Sequence, residues 1–196
     1  MDGQSENRMA DNYKITQSVR IGDKEVVMGV DMTNAMPYFC AYYTSNEIYG
    51  SYDGGMISDN YIEMVELFAE RVSGQCQKLR EEQERITVPK KPITADMCQQ
   101  VASDASMVGK VMAIRADALR PEYRLAPYQL VLVTDGNGAR ANARGRACFC
   151  KILYDGEGQK CVRSDFYGEV KTEHLPDWAK ERAEKMRKKE QDRGLR

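Results

Sequence analysis

The sequence predicts an α+β fold, with antiparallel strands in two lobes, one long central helix and one C-terminal helix. Three observations predict it. Apolar residues alternate with polar ones between turn signals in two separate blocks, residues 13–44 and 108–170. Between them, residues 60–86 repeat apolar side chains at steps of three and four. The chain has 196 residues, 42% hydrophobic and 30% charged, which is long enough to bury a core unaided.

Residues 1–12 are polar and aperiodic, which predicts disorder. Tyr13, Ile15 and Gln17 share one face of a strand over residues 13–19. Gly22-Asp23 turns the chain into a partner over 25–31, rich in Val26, Val27 and Val30. Tyr38, Phe39, Tyr42 and Tyr43 mark a third strand over 37–44. Gly50, Gly54 and Gly55 make residues 46–58 a predicted loop. In the helix over 60–86, Ile62, Val65, Phe68, Val72, Leu79 and Ile86 form the apolar face. Asn60 with Glu63 three residues on fits a capping box. Gly74 weakens the middle by about 1 kcal/mol relative to Ala and marks a kink or a close contact. The charged half, residues 77–85, is expected to project, and Pro89 and Pro92 end the helix.

Thr94 is expected to cap one short turn within 95–101, and the lobe boundary is placed here. That gives lobes of 13–93 and 94–196, or one continuous domain. Four strands follow, over 108–117, 128–134, 146–154 and 160–170, with turns at Asp135-Gly136-Asn137-Gly138 and Asp155-Gly156-Glu157-Gly158. Pro176 opens the last helix, whose apolar face is Leu175, Trp178, Ala179 and Met186. Beyond Met186 the chain is expected to be solvated.

Net charge is −1, but residues 1–100 carry 10 Lys+Arg against 16 Asp+Glu and residues 101–196 carry 19 against 14. An acidic front and a basic back suggest a surface that meets an anion on one side. No apolar run approaches the ~18 residues of a membrane helix. The first residues lack the apolar stretch of an export signal, so a cytoplasmic location is expected, in a bacterial host. Without export, the six cysteines read as buried free thiols and not as disulfides.

Little in the chain suggests catalysis. Cys148, Cys150 and Cys161 with the only histidine, His174, could supply four zinc ligands. Their gaps do not match the usual spacing, and a hairpin closed by 155–158 would pair Cys161 near Ile152. Any Ser or Cys nucleophile would need His174 as its base, and nothing fixes a partner beside it. Loop acids Asp31, Glu47, Asp53 and Asp59 leave a carboxylate mechanism open. The expectation is a binding protein, not an enzyme, with no metal and no cofactor.

The segment 135–146 carries more information. It holds Gly-x-Gly after a strand, yet it is neither a P-loop nor a dinucleotide fingerprint. Arg140, Arg144 and Arg146 are spaced four and two apart with small residues between them. Small spacers let a backbone approach, and guanidinium forks match phosphate. Lys151 and Arg163 on adjoining strands could extend the patch. The last helix is also basic, but Glu181, Glu184 and Glu190 are interleaved there, giving same-helix ion pairs. The aromatic cluster of residues 38–52 could stack bases or form core.

Gly136-Asn137-Gly138-Ala139, Ala143-Arg144-Gly145, Cys148-Phe149-Cys150, Tyr154-Asp155-Gly156 and His174-Leu175-Pro176-Asp177-Trp178-Ala179 resemble a recurrent set of small proteins of mobile elements and phages of gut bacteria. Tyr42-Tyr43-Thr44-Ser45-Asn46-Glu47 and Glu63-Met64-Val65-Glu66-Leu67-Phe68-Ala69 match the same group, so the resemblance covers most of residues 13–189. It is similar to anti-CRISPR proteins that act on type II, single-effector RNA-guided nucleases. The resemblance implies stoichiometric binding to such a nuclease, its guide RNA or both, blocking DNA binding or cleavage. No catalytic residue carries over. In that version Glu63, Glu66, Glu70, Glu81, Glu82 and Glu84 of the long helix face basic protein, and Arg140, Arg144 and Arg146 face phosphate. The alternative is a mobile-element accessory protein that binds RNA or DNA directly through the Gly/Arg loop. A homodimer through the helix is open, although Gln75, Glu82 and Gln83 interrupt a heptad seam.

Overall fold

The structure is a computed structural model that describes residues 8–45 and 49–194. Its mixed architecture is α+β, with two antiparallel sheets. The chain divides into two compact units, Met1–Arg85 and Ile86–Arg196. The division coincides with one of charge. The first unit carries 8 Lys+Arg against 15 Asp+Glu and the second 21 against 15, net −7 and +6.

The first unit is a five-stranded meander in sequence order: β1 (Met9–Ala10), β2 (Tyr13–Ile21), β3 (Lys24–Val30), β4 (Tyr38–Ser45) and β5 (Gly50–Ser58). The helix α1 (Tyr61–Arg85) follows. Period-two alternation sends Val26, Met28 and Cys40 to the face where Met64, Phe68 and Val72 of α1 pack. Tyr13, Ile15, Val27, Phe39 and Ala41 fill the other face. The sheet curls far enough for the Tyr52 hydroxyl of β5 to donate to the Met9 carbonyl of β1 at 3.2 Å. Arg8 forks onto Glu25 at 2.8 and 3.1 Å.

In this unit the structure departs from five expectations. The disorder expected over residues 1–12 falls partly outside the described residues, but Met9 and Ala10 pair with Lys14 and Tyr13. The loop expected over 46–58 is strand β5 from Gly50 on. Its glycines make room for rings: a Cβ at Gly50 would lie 2.3 Å from the Tyr43 hydroxyl and one at Gly55 3.1 Å from Phe39. The expected projection of residues 77–85 is incomplete, since Leu79 and Gln83 are half-buried. Gly74 has no neighbour within 4 Å, so it marks no close contact. Asn60 does cap α1, accepting from the Ile62 amide at 3.0 Å, while Glu63 accepts from Ser58 and does not close the box.

The second unit is a six-stranded sheet of order β10-β9-β8-β7-β11-β6. Its strands are β6 (Cys98–Gln99), β7 (Val111–Ile114), β8 (Leu130–Asp135), β9 (Ala147–Ile152), β10 (Gly158–Val162) and β11 (Phe166–Val170). A single turn, α2 (Ala126–Gln129), precedes β8, and α3 (Asp177–Gly194) closes the chain. Ala179 and Ala183 of α3 pack on Val111, Ala113, Leu130, Leu132 and Leu153. Met112, Ile114, Val131, Val133 and the thiols of Cys148, Cys150 and Cys161 fill the opposite face. The Gln129 amide, fully buried, bonds both backbone groups of Ile93 and the Ile114 carbonyl, so the entry to this unit is fixed.

The strand expected over 160–170 is two strands. Asp165 accepts from the Val162 amide at 2.7 Å, turning the chain so that β11 leaves β10 and pairs with β7 and β6. The strand expected over 108–117 is confined to β7, and residues 116–118 form a 3-10 turn. The tail beyond Met186 is helical and partly engaged. Arg187 donates to the Gly109 carbonyl at 2.9 Å, and Glu190 takes Lys151. Among the described residues, no helix is long and apolar enough to cross a membrane.

Candidate nucleic-acid interface

The loop from Gly136 to Arg146 joins β8 to β9, and glycine lets its two arms touch. A Cβ at Gly136 would lie 2.3 Å from the Ala147 carbonyl, and one at Gly138 2.3 Å from the Arg146 carbonyl. Gly136 also has φ of 123°, where side chains are strained. The Gly138 amide donates to the Ala147 carbonyl at 2.8 Å, and Ala139 is fully buried. Its carbonyl accepts from the Met107 amide at 2.8 Å. Farther out, the Asn142 amide donates to the Ser103 carbonyl at 2.9 Å. The loop is thus tied to its unit at base and tip.

Arg163 completes that tie. Its guanidinium donates to the carbonyls of Ala102 at 2.7 Å and Ala105 at 3.2 Å, with longer contacts to those of Gly138, Arg140 and Val101. It therefore binds the loop to the 101–105 segment and does not extend an exposed patch. Lys151 is also occupied, ion-paired with Glu190 and half-buried.

What the loop exposes is Arg140, Arg144 and Arg146. Arg140 is held loosely by Asp135 at 3.3 Å. The Gly136 amide and then Arg140 keep the Asp135 carboxyl below its ordinary range. Arg144 and Arg146 make no side-chain bond among the described residues. Asn137, Arg140, Asn142, Arg144 and Gly145 line a shallow concavity of ≈ 360 Å³. Cationic forks on a fixed backbone can bind phosphate oxygens; they have no group that would activate a nucleophile.

On α1, Glu63, Glu66, Glu70, Glu81 and Glu84 fall within an arc of about 60°, and Glu82 lies about 100° away. All six are exposed. Five of the six acids expected to act together thus share a stripe.

The cysteines correct one expectation. Cys161 sits opposite Cys148, not near Ile152, because the hairpin turns at residues 153–156 and Gly158 already pairs with Lys151. The hydrogen bond to Cys161, together with burial, pushes the Cys150 thiol up. Burial pushes Cys148 up as well. Cys148 and Cys150 are therefore protonated, while the bond with Cys150 lowers Cys161, which burial keeps from solution. His174 lies beyond β11, which β8 and β7 separate from β9. Among the described residues no group of three or more His, Cys, Asp and Glu is arranged to hold a metal ion.

Phe149, the spacer of Cys148 and Cys150 in the sequence, carries no motif signal of its own. It is 50% exposed on β9. The alternation that buries both thiols turns Phe149 outward. No protein-family model matches this chain, nor does any curated protein or solved structure.

Proposed function

We propose that this chain is a stoichiometric nucleic-acid-contacting protein whose 136–146 loop grips backbone phosphates. The observation that carries the reading is the exposure of Arg140, Arg144 and Arg146 on a backbone fixed by glycine contacts and Arg163. In the form implied by the sequence resemblance, the nucleic acid is the guide RNA of a type II RNA-guided nuclease, and the α1 acidic stripe meets basic effector protein. The protein then blocks DNA binding or cleavage by occupancy, without turnover.

The test is co-elution and target cleavage with a type II effector, with and without guide RNA, beside anisotropy titrations of bare RNA. Three arginine contacts give a slope of log K against log salt of about −2 for single strands. Replacing all three arginines with alanine should abolish that slope. Unchanged RNA binding in the triple variant refutes the loop. Undiminished cleavage at excess inhibitor refutes the nuclease form and leaves direct RNA or DNA binding. Asp135→Asn, which releases Arg140, should raise RNA affinity.

A further inference from the structure

We propose that Phe149 is a base-stacking platform, so that the nucleic acid held by the 136–146 loop is a single strand; this rests on the phosphate reading of that loop. An aromatic ring half out of water on a regular strand is available to a base, and every base offers a π-face. Phe149 sits at the loop's foot. Its cross-strand partners are Asp135, the last residue of β8 before the loop, and Lys160 on the outer strand β10. Asp135 also holds Arg140 of the loop at 3.3 Å, which brings that guanidinium to the foot of the loop with Phe149.

The surroundings fix which face is used. Phe149 shares its face with Lys151 and Leu132, where α3 packs. That helix starts at the opposite end of the sheet, where Arg182 donates to the Tyr154 carbonyl, and reaches Lys151 with Glu190. It therefore covers Leu132 and Leu153 but leaves Phe149 half-exposed at the loop end. Exposed Lys188 and Lys189 lie on the last turns of the same helix. A single strand with phosphates on the arginines can lay a base on Phe149, whereas a duplex keeps its bases stacked on one another.

The test uses the full chain and a fluorescein-labelled 12-nucleotide RNA, as a single strand and as the matching duplex, in anisotropy titrations across a salt series. The single strand is expected to bind more tightly. Phe149→Ala should weaken it by about 5- to 100-fold while leaving its salt slope and the duplex affinity unchanged. Phe149→Trp should restore binding, with quenching of its indole fluorescence by RNA. Thermal unfolding of each variant checks the fold. Phe149→Ala with wild-type affinity, while Arg144→Ala and Arg146→Ala lose affinity, overturns the platform and keeps the loop. Tighter binding of duplex overturns it too. Failure of the wild type to bind either RNA overturns both.

Discussion

Arg163 separates a structural cation from a phosphate ligand, and its removal discriminates between them. Its guanidinium bonds carbonyls of residues 101–105 on one side and of the 136–146 loop on the other. Two of the five contacts are short, at 2.7 and 3.2 Å. Hydrogen bonds to a charged donor are worth about 1.5–3 kcal/mol each, and less where the bond is exposed, as at Ala102. The three longer contacts add little, and near the surface water recovers part of the loss. Arg163→Ala should therefore cost about 2–4 kcal/mol. A unit of this size loses roughly 4–6 °C per kcal/mol, so its transition should fall by roughly 10–20 °C. Differential scanning calorimetry of the full chain reads this directly. RNA affinity should fall as the loop loosens, yet the salt slope should stay, because no phosphate contact is lost. Arg163→Lys should rescue only in part, since an ammonium gathers its three donors on one atom and lacks the planar fork that spans the two segments. An unchanged transition with a slope reduced by about 0.7 would refute the reasoning and make Arg163 a phosphate ligand.

Other substitutions probe the same structure. Gly138→Ala puts a Cβ 2.3 Å from a backbone carbonyl and should cost at least about 2 kcal/mol in chemical denaturation, whereas Gly158→Ala, with nothing within 4 Å, should stay within about 0.5 kcal/mol of wild type. In the first unit, burial alone would raise the Glu25 carboxyl, but the bonds from Arg8 and Ser18 and the charge of Arg20 hold it below its ordinary value. Its contribution to stability is present above the unfolded pKa, near 4.5, and is lost as pH falls through the lower folded value. Arg8→Ala should cost about 1–3 kcal/mol at pH 7 and less at pH 4, because the largest influence that lowers Glu25 goes with it; denaturation at pH 4 and 7 checks the sign. Of the six thiols, Cys76 alone is exposed and should react at once with a thiol reagent. The other five should wait for unfolding, helped at Cys98 by burial that pushes its thiol up to about 11.

Local pattern carried much of the fold, and the misreadings have physical causes. The helix α1 was legible because apolar residues repeat over seven turns and Asn60 caps its start. The strand β5 was not, because glycine marks loops on average but here clears space for Tyr43 and Phe39 on the neighbouring strand. The register of Cys161 depended on which residues make the turn, and a slip of that turn moves every partner. At the candidate site, the glycine and arginine content was visible as pattern. That Arg163 would fold back on carbonyls, and that Lys151 would meet Glu190, are tertiary facts with no local signature. Phe149 was half legible. Alternation separates it from Cys148 and Cys150, but only the reach of α3 decides that its face is left open.

A chain with a net charge of −1 has almost no long-range attraction for a polyanion, so binding must come from contacts made at short range. The loop meets that need in part. Its backbone is already ordered by Gly136, Gly138, Ala139 and Arg163, so little backbone entropy remains to be lost when phosphate arrives. Two or three guanidinium contacts are nevertheless few, and non-specific binding at physiological salt lies at about 10⁻⁴–10⁻⁶ M. Under the proposed reading, bare RNA should bind in that weak range. A ribonucleoprotein that also presents a basic surface to Glu63, Glu66, Glu70, Glu81 and Glu84 joins two weak contacts within one chain. Linked contacts of this kind exceed either one alone by about 10²–10⁴ when the geometry permits both. The segregation of −7 and +6 onto separate units is what a bridge between a basic protein and its RNA requires. Reversing the stripe with Glu66→Lys and Glu70→Lys should therefore leave bare-RNA affinity the same or raise it, by the added positive charge, and weaken binding to the ribonucleoprotein; equal loss for both ligands would remove the bridge.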